Sequence, residues 1–351
     1  MTREGRVAEF DGRGQFTIVT ESVAPPDDGE LLVDVEAAVI SAGTHGGRIK
    51  RLRDDPRSDY GTRTIGYQTA GTVVETGEGV ERFEPGDDVV AMGGGYAIQA
   101  DYNVVPVNLC APLPENVSFA EGAHVHLAAT ALQGVRRFGP EPGAYGAVIG
   151  LGVVGQFASQ LWQLSGGTVV GSDLFARRRE TAADLGAAAT CDPTSDDLAA
   201  LADEITNGVG LDGGFMCFGG DGTEALHDLV AAMKEAPDGE TLGTVVLIGG
   251  LTVTVGGGAR LGNVDIRCSS RTGPGYHDDA FERGEDYPAG YVRWPTTRNL
   301  EAVMDWFADD RLAAAPLITH RFPLDDINAA YDQVVETPEE TVSVVVRCDD
   351  R

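Results

Sequence analysis

The run Gly150-Leu151-Gly152-Val153-Val154-Gly155 limits most sharply what this chain can fold into. It follows a short apolar segment, Ala147-Val148-Ile149, that reads as a strand. It opens a stretch, residues 154–165, in which Val154, Phe157, Ala158, Leu161 and Trp162 recur at helical spacing. At such a turn Gly150 permits the sharp bend, Gly152 lets backbone approach a pyrophosphate, and Gly155 lets helix pack on strand. The helix N-terminus adds amide donors and partial positive charge. Glycines that merely pack a sheet need no acid downstream, yet the next apolar segment, 168–172, ends at Asp173. An acid there accepts hydrogen bonds from ribose hydroxyls and repels a 2′-phosphate, so the expected cofactor is NAD ahead of NADP. Arg177, Arg178 and Arg179 leave the alternative open, as either a phosphate site or a solvated helix face. The expected cofactor contacts are Gly150, Leu151, Gly152, Val153, Val154, Gly155, Asp173, Leu174 and Arg178. Phe218, Gly219, Gly249 and Gly250 join them at the ends of later strands, where plain turn glycines are the competing reading.

The texture of the chain changes along its length. Residues 1 to about 120 read as short strands, among them 30–39 and 69–75, separated by turns such as Glu84-Pro85-Gly86-Asp87. From about 121 strands alternate with amphipathic helices: strands at 168–172, 213–218, 244–249 and 264–269, helices at 177–185 and 223–233. That alternation predicts a doubly wound parallel sheet. A Gly/Tyr/Pro-rich stretch follows residue 271, then helices at 298–308 and 324–335 and a last strand at 342–347.

Composition excludes several partners. There are 55 Asp+Glu against 26 Lys+Arg, a formal net charge of −29, and only Lys50 and Lys234 among the basic residues are lysine. Phosphate backbones and anionic bilayers attract cationic surfaces, so no nucleic acid and no membrane is expected as a partner. So large a like-charge excess strains a fold at low ionic strength, and molar salt screens it, which points to the salt-rich cytoplasm of a halophile. Five scattered cysteines read as free buried thiols, and no apolar leader follows Met1, so a cytoplasmic address is expected. The uncharged stretch 143–172 holds Gln156, Gln160, Gln163 and many glycines, and reads as a buried β-α-β unit.

Several motifs together resemble the medium-chain dehydrogenase/reductase superfamily over nearly the full length. They are Ala42-Gly43-Thr44, Gly66-Tyr67-Gln68-Thr69-Ala70-Gly71, Gly77-Glu78-Gly79-Val80, Pro85-Gly86-Asp87-Asp88-Val89, the 150–155 fingerprint, and His320-Arg321-Phe322-Pro323-Leu324 with Ala329-Ala330-Tyr331. The resemblance implies an α/β protein: a GroES-like β-barrel catalytic domain, residues 1–124 and 271–351, plus a Rossmann doubly wound parallel sheet domain, residues 125–270. It also implies a homodimer or homotetramer acting on a small-molecule substrate.

The departures from the family pattern carry as much as the matches. Zinc-type members have Cys where Ala42 stands, His-Glu where Tyr67-Gln68 stands, and Cys, Asp or Glu near His126. Ala, Tyr and Gln are not strong zinc ligands, so no zinc is expected. Residues 93–115 contain Cys110 alone, too few for a four-thiolate lobe. His45, His124 and His126 could rebuild a metal site, and in a strand His124 and His126 would face one way, but such histidines equally serve as polar pocket residues.

Hydride transfer to a carbonyl needs a donor to the oxygen that gains negative charge. The expected catalytic set is Thr44, where the resemblance implies a relay hydroxyl, with the Tyr67 phenol and the His126 imidazole. His45 and Gln68 are expected to bind substrate; each of these groups could instead be a satisfied pocket residue. Tyr287, Tyr291, Arg293 and Trp294 could stack on or hydrogen-bond a polyhydroxylated or anionic ligand, or form a subunit contact. The expected activity interconverts an alcohol and a carbonyl on a sugar, polyol or other polar hydroxy compound. Two alternatives stay open: a zinc-free quinone- or enoyl-type double-bond reductase, and a non-catalytic dinucleotide-binding sensor or scaffold.

Overall fold

A computed structural model describes residues 3–256 and 261–348. The chain divides into two compact units, residues 1–129 with 272–351 and residues 130–271.

The first unit is built around the strand Glu30–Ile40, an aliphatic run in which nearly every side chain is buried. One edge of it pairs antiparallel with Gln68–Thr76. Tyr102–Pro106 and Ser343–Arg347 pair with its first and last residues. The sheet continues through Asp88–Met92 to Cys110–Pro112, and on the other side through Ile318–Pro323. A segment from the end of the chain thus completes a sheet begun near its start. A three-stranded sheet, order Phe16–Val23, Arg3–Phe10, Arg63–Thr64, stands beside it. Phe10, Phe16, Ile40, Ile49, Tyr331 and Val344 belong to one buried cluster, with Phe16 stacked on Tyr331 at 4.4 Å. This is the mixed architecture of a GroES-like domain.

The second unit is a six-stranded, wholly parallel sheet. Its order is Ala189–Cys191, Thr168–Ser172, Tyr145–Ile149, Gly213–Met216, Leu242–Ile248, Asn263–Ser269. The strand order reverses beside Tyr145–Ile149, the switch point at which doubly wound sheets take ligands. Helices Val153–Leu164, Ala176–Asp184, Leu198–Thr206 and Thr223–Ala231 connect the strands. The uncharged stretch 143–172 is strand, helix and strand, and among the described residues no helix is long and apolar enough to cross a membrane.

Three expectations need correction. Residues 125–138 are a helix, so His124 and His126 do not share a strand face. The predicted helix over 324–335 opens with a 3-10 turn, Leu324–Asp326, before Ile327–Glu336. Cys268 is exposed, because Asn263–Ser269 is the edge strand of its sheet; Cys110, Cys191 and Cys348 are buried and Cys217 is half-buried.

Gly155 fixes the approach of helix to strand in the second unit. A Cβ there would collide with the Gly150 carbonyl oxygen, a backbone atom that cannot swing away. Gly155→Ala should therefore destabilise the chain by ~1–3 kcal/mol, read as a lowered unfolding midpoint in denaturant. An unchanged midpoint would show that the loop can relax.

Candidate functional site

In the first unit, Glu30–Ile40 ends at Ser41, and residues Ala42–Gly46 wind as a π-helical turn. Ser41 Oγ accepts the Thr44 N–H at 3.4 Å and so starts the turn. Tyr67 immediately precedes Gln68–Thr76, and its carbonyl accepts the Gly93 N–H at 2.9 Å. The sheet pairing of these two strands brings the turn and the phenol together. The Tyr67 hydroxyl lies beside the hydroxyls of Ser41 and Thr44, which favour its ionised form, while burial outweighs them and pushes its pKa up to about 12.

The Tyr67 ring lies between two imidazoles, with centroids 4.5 Å from His45 and 4.3 Å from His126. His126 arrives at the first turn of helix Val125–Phe138. That helix start is held by Gln68, whose Oε1 accepts the Leu127 N–H at 3.1 Å. Burial lowers the pKa of both His45 and His126 to about 3, with Arg48 adding to the effect on His45. Both rings are neutral at physiological pH. The structure thus gathers Thr44, His45, Tyr67, Gln68 and His126, all picked from the sequence.

The remaining predicted residues go elsewhere. His124 is fully buried, with Nδ1 2.9 Å from the Ala120 carbonyl and Nε2 2.8 Å from Ser343 Oγ. It ties the helix start to the last strand and is a structural residue. Tyr287 donates to Asp278 Oδ2 at 2.6 Å and stacks on Phe281. Tyr291 is 93% exposed, and Trp294 lies beneath the guanidinium groups of Arg293 and Arg298. The member of this Gly/Tyr/Pro-rich stretch that reaches the cluster is Tyr276, edge-on to His126 at 6.1 Å. No motif marks it, because a loop contact between residues 126 and 276 leaves no periodic signal.

Zinc finds a poor donor set here. The aligned positions offer the Ala42 methyl, a neutral phenol, an amide and one imidazole, none of them a thiolate or carboxylate. Among the described residues no three His, Cys, Asp or Glu side chains group as metal ligands.

In the second unit the glycine turn has the shape its spacing predicts. Gly150 has φ +88°, a Cβ on Gly152 would point into open space, and helix Val153–Leu164 has no side chain capping its N-terminus. Uncapped amides above an open glycine suit an anionic pyrophosphate. Asp173 is buried, and its carboxylate is already engaged: Oδ2 accepts the Leu151 N–H at 2.7 Å and Oδ1 the Phe175 N–H at 2.9 Å. A carboxylate has about four lone-pair positions, so ribose hydroxyls can share it. Arg178 stands 3.7 Å from Asp173 and over the Phe175 ring, and Arg179 pairs with Asp192 at 3.1 Å. Gly249, at φ +115°, and Phe218 border the same strand ends, and Leu174 is exposed.

Residues 27–115 match the family model of the alcohol dehydrogenase GroES-like domain. A zinc-type alcohol dehydrogenase-like protein of Escherichia coli is 24% identical, with 96% of this chain and 97% of that protein covered. Sorbitol dehydrogenase of Gallus gallus is 25% identical over 96% of this chain and 94% of its own. Among solved structures, an Escherichia coli oxidoreductase/dehydrogenase of unknown specificity superposes with TM-score 0.80 at 18% identity, covering 99% of this chain and 100% of that one. Over nearly its full length the chain is similar to proteins of the medium-chain dehydrogenase/reductase superfamily. A further solved structure with this fold, 2R,3R-butanediol dehydrogenase from Bacillus subtilis, superposes with TM-score 0.74 at 22% identity, covering 98% and 100% of the two chains.

Neutral buried imidazoles make the stability pH-dependent. His45, His124 and His126 have folded pKa values of about 3, 4 and 3 against 6.5 in the unfolded chain. The unfolded state therefore binds more protons below 6.5, and stability present above that pH is lost as pH falls toward 4. The melting temperature should drop steadily from pH 7 to 5, with proton uptake on unfolding in calorimetry. A flat profile would mean that these rings are not buried neutral.

Proposed function

We propose that the chain is a nicotinamide-dependent oxidoreductase that interconverts an alcohol and a carbonyl without zinc, with NAD its cofactor. The observation that carries this reading is the Tyr67 phenol, packed between His45 and His126 and beside the hydroxyls of Ser41 and Thr44, at the position where the resemblance implies a metal ligand in zinc-type members. The dehydrogenase relatives support oxidoreduction, and the sorbitol dehydrogenases among them support a sugar, polyol or other polar hydroxy substrate. Asp173 beside the glycine turn, with Arg178 and Arg179 both engaged on acidic partners, supports NAD over NADP.

The nicotinamide supplies or takes the hydride when bound. The chain's own residues handle the proton and the developing charge. With a pKa of about 12 the Tyr67 phenol holds its proton across physiological pH and is a donor toward a carbonyl oxygen gaining charge. Thr44 is exposed and in contact with that phenol, so it can pass the proton between Tyr67 and water. His45 and His126, neutral and tilted against the Tyr67 ring, hold it without adding a charge. In the oxidative direction Tyr67 must first lose its proton, so alcohol oxidation should rise with pH up to about 12 while reduction stays flat.

The test is kinetic. Tyr67→Phe should lower kcat for carbonyl reduction by ~10²–10⁴-fold with NADH affinity unchanged. Thr44→Val should slow alcohol–carbonyl turnover about 10-fold or more as the relay is cut. Full activity in Tyr67→Phe would remove the phenol from the chemistry, and a reaction only with activated double bonds would make the chain a double-bond reductase. A reduction profile with an inflection near pH 6.5 would show an ionising imidazole instead.

A further inference from the structure

The ring cluster of the first unit is longer than the residues that the proton chemistry uses. His45, Tyr67, His126, Tyr276 and His277 form a row with successive centroids 4.5, 4.3, 6.1 and 3.9 Å apart. Tyr67 and Tyr276 are part-exposed and His277 is exposed, so three of the five rings can meet a ligand.

The segment that brings Tyr276 is braced at several points. Asn299 Nδ2 donates to the Thr272 carbonyl at 2.6 Å, and Thr296 donates to the Gly273 carbonyl through Oγ1 and to the Pro274 carbonyl through its backbone N–H. The Gly94 N–H donates to the Tyr276 hydroxyl at 2.7 Å. His277 has φ +74°, and its N–H donates to Glu282 Oε1 at 2.6 Å. A left-handed non-glycine residue is costly and persists where its surroundings hold it. Two buried polar atoms of the same cluster have no partner, Nδ1 of His45 and Nε2 of Gln68, on side chains 4% and 1% exposed. Unpaired buried polar atoms are met when a hydroxylated ligand supplies the missing bonds.

Resting on the oxidoreductase reading above, we propose that Tyr276 is a specificity-determining residue and that the ring row selects a cyclic polyhydroxy compound over an open-chain polyol. A ring carrying its hydroxyls around the rim presents a rigid C–H face that packs on an aromatic face and buries apolar area. Its rim hydroxyls then meet the His45 and Gln68 atoms. An open-chain polyol has no such face and must freeze several rotors to imitate one.

Two probes separate the cases: myo-inositol and D-glucitol, both uncharged, with the same number of carbons and hydroxyls. Binding to the full-length chain is measured by ligand-observed NMR with NADH present. The wild type should bind myo-inositol ~10-fold more tightly than D-glucitol, with saturation passing from aromatic protons to the inositol C–H protons. Tyr276→Phe, which keeps the ring, should preserve the preference; Tyr276→Leu should abolish it while NADH fluorescence titration is unchanged. Equal binding, a preference for D-glucitol, no binding of either, or an intact preference in Tyr276→Leu would overturn the proposal. The wild-type saturation transfer stands as a test even if the leucine variant fails to fold. Ring-selective binding with no nicotinamide turnover would refute the oxidoreductase reading alone, and turnover without ring selectivity would refute this one alone.

Discussion

The seam between Glu30–Ile40 and Ser343–Arg347 is the constraint on which the first unit depends. Residues 37–40 pair antiparallel with residues 344–347, so the chain cannot finish this sheet until its last strand is in place. The seam ends at the candidate site. On one strand Ser41 opens the turn that carries Thr44 and His45; on the other Ser343 holds His124, which sets the start of the helix that carries His126. Tyr67 reaches the same place because Gln68–Thr76 pairs with the opposite edge of Glu30–Ile40. A site assembled from three strand ends and one helix end keeps its geometry through backbone pairing, with little demand on any single side chain.

The side chains that fill that place are a poor donor set for zinc. Zinc centres commonly add thiolate or carboxylate ligands to neutral imidazoles; here a part-exposed phenol stands with two buried, neutral imidazoles. Neutral groups avoid the cost of burying charge, and the price appears only on acidification, when protons must enter the rings. The hydroxyls of Ser41 and Thr44 stand beside the phenol oxygen and favour its ionised form, though less than burial opposes it. The same arrangement leaves a phenol whose protonation state is indifferent to ordinary changes of pH.

Much of this was legible in the residues. The glycine turn was readable because its chemistry demands a fixed spacing after a strand, and Gly150, Gly152 and Gly155 each show the geometry that spacing implies. Tyr67, Gln68 and His126 were readable through the resemblance, which aligns them with positions where zinc-type members hold metal; it aligns Thr44 with a relay hydroxyl and places His45 near the same pocket. The relation of His124 to His126 stayed open in the sequence because a two-residue spacing means a shared face only in a strand, and the local pattern does not reveal that residues 125–138 coil into a helix. Tyr287, Tyr291, Arg293 and Trp294 drew notice by composition, yet their side chains stack and bond among near neighbours. Tyr276 escaped notice because its meeting with His126 is set by hydrogen bonds from Thr296 and Asn299, which no local pattern encodes.

Whether catalysis proceeds from Tyr67 or from a metal is decided most directly by metal content measured on the same sample that turns over a carbonyl substrate. The account predicts well under ~0.1 zinc per chain, with turnover unaffected by prolonged chelation. About one zinc per chain, with activity lost on chelation and restored by zinc, would contradict it.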